Sequence, residues 1–321
     1  MVRYIVRRLL QSIPLLIGIT IVAFALIHVS GDPMAVYNNN PRMSPEAKAA
    51  IAAKYGFDKP LYMQYFVWVS RVIQGDFGYS FSTFELVSKM IGERLPNSLI
   101  LMGAAFCITL LVAIPFGIYS AVKQYSWGDH LITGLAFVAF ALPTFWLGLL
   151  AIMLFSVKFK QWGLPNLPAG GMYDVSVGKT FGQVAQHLIL PASVLGLVSA
   201  ATYIRHLRAS LLEVISQDYV RTARAKGLSE RKVIYRHAIK NAMIPVVTLA
   251  MMDIPWLFAG ALITEQVFAW PGMGRLFWEH AVKVDYPVLM GILVIVSSLV
   301  VLCNLLADIL YAVLDPRIRF A

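Results

Sequence analysis

Charge is scarce in this chain. Only 14% of its 321 residues are Asp, Glu, Lys or Arg, where a soluble domain carries about 25%. So few charges cannot coat a soluble protein of 35.6 kDa, which excludes an ordinary soluble enzyme. The hydrophobic share of 59% excludes a disordered chain. Acids are scarcer than bases, 17 against 27. In so apolar a chain, basic cytoplasmic loops account for the net charge of +10, and no nucleic acid need be invoked. Cysteine is nearly absent. Cys107 and Cys303 both sit in long apolar runs, which excludes a disulfide framework and a thiolate metal site. The six histidines form no His-x-x-x-His or Glu-x-x-His pair, and there is no Gly-x-Ser-x-Gly elbow. Gly178-Lys179-Thr180 imitates the end of a phosphate loop, but Tyr173 stands where its first glycine is needed. Internal repeats and low-complexity segments are also missing. The chain reads as a non-enzyme with no cofactor and no metal of its own.

Long apolar runs are abundant, and the mean hydropathy is +0.69. A helix crosses the roughly 30 Å hydrocarbon layer with about 20 apolar residues. Candidate spans are Leu9–Val29, Pro96–Val122, Leu131–Val157, His187–Ile204, Ala242–Thr264 and Pro287–Leu314, with Asp253 and Asp308 inside the last two. The expected fold is all-α, a polytopic membrane protein with six transmembrane helices and both termini on one side. Arg3, Arg7, Arg8 and Ala23-Phe24-Ala25 imitate a cleaved leader. The apolar run continues to Val29, beyond the roughly 7–15 residues of a signal core, so the first span is read as uncleaved. Pro14, Pro115, Pro143, Pro191, Pro245 and Pro255 fall inside spans and predict kinks.

Lys and Arg set the orientation. Fifteen lie in the amino terminus, near Lys123, in the loop Arg205–Lys240 and in the tail, against five in the opposing short loops. Seven more lie in Ser30–Asn97, a segment too long to count. Both termini and the 205–241 loop are therefore expected in the cytoplasm. The division that follows is 1–29 as cytoplasmic amino terminus and first span, 30–97 as an extracytoplasmic domain, 98–314 as a core of five spans, and 315–321 as a cytoplasmic tail.

In the outer segment, Ser44 is an N-cap for a helix beginning at Pro45, with Glu46 in its first turn and Gly56 as its stop. A second helix from Lys59-Pro60 carries Leu61, Tyr65, Trp68, Val69 and Val72 on one face. That face either packs on the spans or serves as a platform for an extracytoplasmic partner. In the inner loop, Asp218 is the expected N-cap of a helix Tyr219–Lys226, Gly227 its left-handed stop, and Leu228 a hydrophobic contact back to Ala223. Ser229 then caps a second helix, Glu230–Lys240. The loop's basic residues can hold lipid headgroups. Its small residues Ala223 and Ala225 point instead to close approach by another protein.

Two acids lie within spans, where ionisable groups are functional candidates by default. Asp253 is about 16 Å into the fifth span, by helical rise. It either lines a path and meets a substrate amine, or hydrogen-bonds a neighbouring helix. Asp308 lies near the inner end of the sixth span, with Arg205 or Arg317 as its expected partner.

Asp218-Tyr219-Val220-Arg221-Thr222-Ala223-Arg224-Ala225-Lys226-Gly227, followed by Ile244-Pro245, resembles the cytoplasmic coupling loop of the membrane subunits of binding-protein-dependent ABC importers. That family's Glu-Ala-Ala stands here as Thr222-Ala223-Arg224. Gly31-Asp32-Pro33, Gly75-Asp76-Phe77-Gly78, Phe268-Ala269-Trp270-Pro271-Gly272-Met273-Gly274, Asp285-Tyr286-Pro287, Asp308-Ile309-Leu310-Tyr311 and Asp315-Pro316-Arg317 are similar to the dipeptide and oligopeptide branch, first permease subunit type. The resemblance implies a type I permease fold and a translocation path for peptides or a similar small solute. It also implies a second homologous permease, two cytoplasmic ATPase subunits and an extracytoplasmic binding protein. Asp218, Tyr219, Arg221, Thr222, Ala223, Arg224, Ala225 and Gly227 then belong to the ATPase-coupling surface, and Asp253 and Trp256 to the path. The alternative, an ion-coupled secondary transporter or channel, predicts an inverted repeat and several deep charges, of which only Asp253 is present.

Overall fold

The computed structural model describes residues 2–30, 34, 38 and 43–314. Gly31-Asp32-Pro33, Asp315-Pro316-Arg317 and the side chain of Asp308 lie outside the described residues. The described chain is helical, with a single isolated bridge between Tyr79 and Leu86. It divides into two compact units, 1–96 with 276–321, and 97–275.

In the first unit, α1 (Val2–Ser30) packs along α13 (Tyr286–Leu314). Ser44 caps α2 (Pro45–Tyr55) by accepting from the Ala47 amide, and Gly56 ends it at φ 75°. The next helix, α3 (Leu61–Ile73), turns Tyr65 and Trp68 onto the buried Phe24 of α1. Tyr65 Oη lies 2.9 Å from Thr20 Oγ1, and Gln64 Oε1 lies 3.1 Å from His28 Nε2. Thr20 is inside the apolar run of α1, so α3 lies alongside that helix. Leu61, expected on the packed face, is exposed with Tyr62 and Phe66.

The second unit is organised around α7 (Phe181–Ile215), which touches α5 (Trp127–Ala141), α6 (Thr144–Gln161), α9 (Glu230–Ala242) and α10 (Ile244–Ala259). It also contains α8 (Asp218–Ala225), α11 (Leu262–Val267) and most of α4 (Val87–Val122), while α12 (Met273–Ala281) continues into the first unit. Four described helices are long and apolar enough to cross a membrane, Val87–Val122, Thr144–Gln161, Phe181–Ile215 and Tyr286–Ala307, and five if α9 and α10 form one broken span.

Two expected spans differ in structure. Leu131–Val157 is divided into α5 and α6 at Leu142-Pro143, where proline's missing N–H and fixed φ stop the first helix. Its second half carries a π segment, Ile152–Lys158. The fifth span bends by 41° between Glu230–Ala242 and Ile244–Ala259. It ends at Ala259 instead of Thr264, because Gly260 leaves the helix at φ 77° and ψ 167°. Thr264 and Glu265 are buried on the separate α11.

Candidate functional site

The loop 205–241 is built on three anchors. Tyr219 Oη accepts from Asn241 Nδ2 at 2.8 Å, tying the start of α8 to the end of α9. Arg224 donates from Nε and Nη2 to Glu230 at 3.1 and 2.7 Å, clamping the far end. That guanidinium holds the Glu230 carboxyl below the usual carboxylate range. Between them, Val220 and Ala223 are buried against Val233 and Val214. Gly227 sits at φ 75° in the expected left-handed conformation, its N–H donating to Arg224 O at 2.9 Å.

Several details correct the sequence reading. Gln217, in extended backbone, is the N-cap of α8, and Asp218 is its first helical residue. Asp218 favours the helix dipole from there and lies 3.6 Å from Arg221. Ala223 is small because it packs on Val233, so only Ala225 of the two alanines is exposed. Leu228 stays exposed, outside the cluster of Val220, Ala223 and Val233. The second helix is interrupted by a π segment, Val233–Ala238, and Ser229 makes no side-chain cap bond. Thr222 bonds its own helix, donating to Asp218 O at 2.9 Å. The exposed face of α8 thus presents Asp218, Arg221, Thr222 and Ala225 on a base fixed at both ends.

Within the membrane-spanning part, Asp253 Oδ2 accepts from Tyr203 Oη at 2.6 Å. Asp253 and Trp256 line one cavity of about 170 Å³ with Thr109 and Ser199. The structure therefore brings both path candidates to one place and gives Asp253 a hydrogen bond as well. Arg205, an expected partner of Asp308, lies over the rings of Phe140 and Phe137 at 4.7 and 5.7 Å. Gly178-Lys179-Thr180 resolves into a turn with Gly178 at φ 89° and Thr180 as the N-cap of α7.

Three buried carboxylates were given no role by the sequence reading, although Asp285 stood in one of its motifs. Glu265 is fully buried and accepts from Ser98 Oγ at 2.7 Å, the Arg275 amide at 2.9 Å and the Ala261 amide at 3.3 Å. A Cβ on Gly272 would stand 2.4 Å from Ser98 Oγ and 2.5 Å from Glu265, so the glycine in the Trp270-Pro271-Gly272 stretch is there to admit the acid. Asp129 accepts from both arms of Arg208, from Ser120 and from the Tyr125 amide. Its signal was a capping pattern, Ser126-x-x-Asp129, and Ser126 does cap α5.

The third, Asp285, gathers Ser80 Oγ at 2.6 Å, Ser82 Oγ at 2.8 Å, the Phe81 and Ser82 amides at 3.0 Å and His280 Nδ1 at 3.0 Å. Burial on its own raises such a carboxyl. The bonds from His280, Ser80, Phe81 and Ser82 outweigh it and hold Asp285 down to about 2. Because the folded value is depressed, this carboxylate's stabilisation is present above about 3.8 and is lost as pH falls toward 2. The segment around Ser80–Ser82 is therefore expected to become protease-sensitive between pH 4 and 2 (about that window, by linkage). Asp285→Asn is expected to be sensitive at every pH. Equal cleavage of the wild-type protein across that window would contradict this.

Residues 113–320 match the family model described as binding-protein-dependent transport system inner membrane component, and residues 1–102 match its N-terminal companion. The oligopeptide transport system permease protein AppB of Bacillus subtilis (strain 168) is 43% identical over 322 residues, covering 100% of both chains. The dipeptide transport system permease protein DppB of Escherichia coli (strain K12) is 39% identical over 339 residues, covering 99% of each. Among solved structures, a chain of the MetNI methionine ABC transporter in an inward-facing conformation matches 71% of this chain and 97% of its own. Its TM-score is 0.56 at 14% identity, a likeness of fold.

Proposed function

This chain belongs to the family of binding-protein-dependent transport system inner membrane components, and from that premise we propose that it is the permease subunit of an ATP-driven peptide importer. It is a multi-pass protein of the inner membrane. We place both termini and the 205–241 loop in the cytoplasm, 30–97 outside, and the path through 98–314; the Lys and Arg asymmetry supports that placement. The partners are a second homologous permease, two ATPase subunits, an extracytoplasmic binding protein and membrane lipid. The chain itself is not an enzyme, and hydrolysis belongs to the ATPase subunits.

The observation that carries this reading is α8. A short helix pinned by Asn241 and Glu230, with one face left exposed, transmits a push from a docked ATPase to α7 and α10 without folding away. Full-length likeness to oligopeptide and dipeptide permeases supplies the cargo class. Asp253 beside Trp256 offers an anionic group to a peptide's ammonium end, while Tyr203 steadies the carboxylate.

The test is ATP-dependent uptake of labelled dipeptides by the assembled complex in proteoliposomes. Asp253→Asn retains an oxygen for Tyr203 and loses only the charge. Its uptake is expected to fall about tenfold with assembly intact, the scale of one charge-assisted hydrogen bond. Unchanged kinetics would remove Asp253 from the path, and no binding-protein-dependent uptake by the wild type would remove the function.

A further inference from the structure

Two cavities of the second unit adjoin, and neither is used by the coupling loop or by Asp253. The larger is a cleft of about 580 Å³ among α4, α5, α6 and α7, with Phe116, Leu135, Leu147, Leu154 and Leu197 in its walls. Ser193 is its only polar lining residue. Leu135 and Leu197 are exposed, so the cleft is open at the surface of the chain. The second cavity is a polar recess of about 510 Å³ at the end of α6, where Ser156, Lys160, Gln161 and Asn166 converge. Leu167 lines the recess, and its N–H donates at 3.1 Å to the carbonyl of Phe155, which lines the cleft, so the two cavities are neighbours.

The recess has the chemistry of an anion site. Ser156 is 8% exposed, and its buried hydroxyl has no hydrogen-bond partner. It lies in the π segment Ile152–Lys158, a distortion that recurs at functional sites. Among the described residues, no carboxylate lies within ion-pair distance of Lys160. Gln161 Oε1 already faces Lys158 Nζ at 3.3 Å, so the oxygen that would repel an anion is engaged elsewhere. Beside the recess, Phe155, Phe159 and Trp162 form a ladder with centroids 5.0 and 6.1 Å apart, and Trp162 is exposed. Trp and Lys at the end of an apolar helix mark the membrane–water boundary.

We propose that this pair of cavities is a phospholipid site, with one acyl chain in the cleft and the phosphate held by Lys160 and Ser156. An ammonium and a free hydroxyl at the polar end of an apolar cleft fit a phosphate ester whose tail runs into the hydrocarbon. A purely apolar helix in the cleft would leave Lys160 and Ser156 without an anion. The inference depends on the chain crossing a membrane and not on its cargo.

The assembled transporter, reconstituted in phosphatidylethanolamine vesicles doped with phosphatidylglycerol bearing a diazirine on one acyl chain, provides the test. Illumination is expected to place adducts on residues 135–155 and 190–204. Lys160→Glu repels the phosphate and Leu197→Trp fills the cleft. Each is expected to cut those adducts about fivefold, the scale of one headgroup contact, while adducts near the exposed Leu302 of α13 stay constant. If Leu197→Trp fails to assemble, the surface substitution Lys160→Glu decides alone. Equal adduct yields in wild type and Lys160→Glu would overturn the site, and so would adducts formed in the cleft by a companion protein in place of lipid.

Discussion

Gly227→Val is expected to insert and assemble its helices normally, yet to retain the ATPase subunits poorly and lose about tenfold or more of peptide uptake. Gly227 holds φ 75°, a conformation that costs an ordinary residue about 1–2 kcal/mol and is a genuine outlier for a β-branched one. Crowding is not the cause, because a Cβ at this position would meet nothing within 4 Å. The strain acts on direction. The corner connects α8 to a return helix to which it is already bound at Tyr219–Asn241 and Arg224–Glu230. A corner relaxed to negative φ cannot keep both bonds, so α8 changes its angle to α10. Gly227→Asn tolerates the left-handed region and is expected to keep most retention and uptake. Valine changes no charge, so a loop that merely holds lipid headgroups would be indifferent to it. Co-purification of the ATPase with the three proteins, alongside uptake, separates these readings. Retention lost in Gly227→Val but kept in the wild type also fixes sidedness, since a loop that binds a nucleotide-hydrolysing subunit lies in the cytoplasm. Equal retention and uptake in all three would remove the loop from coupling.

What sequence could foresee was decided locally. Ser44 and Gly56 bracket α2, and Gly227 stops α8, because a cap needs only its own residue type and the next turn. The apolar runs located the helices, since hydropathy is a sum over the segment itself. Their ends were harder. Charge-free residues on either side of Pro143 look continuous in composition, yet the backbone divides there. Thr264 looked like the last residue of a span, but the chain had already turned at Gly260 to bury Glu265. The buried acids were the largest omission. Asp285 finds its partners at Ser80 and Ser82, more than 200 residues away, and no local pattern reports a contact of that separation. Glu265 meets Ser98 across 167 residues, though Gly272 beside a buried tryptophan was a visible sign that something had to fit closely.

Asp129→Ala is expected to be the most destabilising single change in the second unit, by about 3–5 kcal/mol, the usual penalty for leaving one partner of a buried ion pair. The Asp129 side chain is 2% exposed and that of Arg208 25%, so the orphaned guanidinium cannot be fully rehydrated. Removal also strips acceptors from Ser120, the Tyr125 amide and Thr133. Arg208→Met removes a partly exposed charge and leaves Asp129 with its other three donors, so it is expected to cost less. The double variant is expected to be more stable than the sum of the two predicts, by at least ~1 kcal/mol, because neither charge is then left alone. Position makes the pair matter for transport. Arg208 is eight residues before Ser216, where α7 gives way to the turn into α8, a distance of about 12 Å along the helix. The bidentate bond at 2.9 and 2.8 Å therefore ties the C-terminal end of α7 to the first turn of α5 close to the loop. Thermal unfolding of the purified complex, followed by intrinsic tryptophan fluorescence, orders the four proteins. Arg208→Met being worse than Asp129→Ala would mean that the neutral donors do not support the unpaired carboxylate, and losses that simply add would mean that those donors and not the ion pair hold α5 to α7.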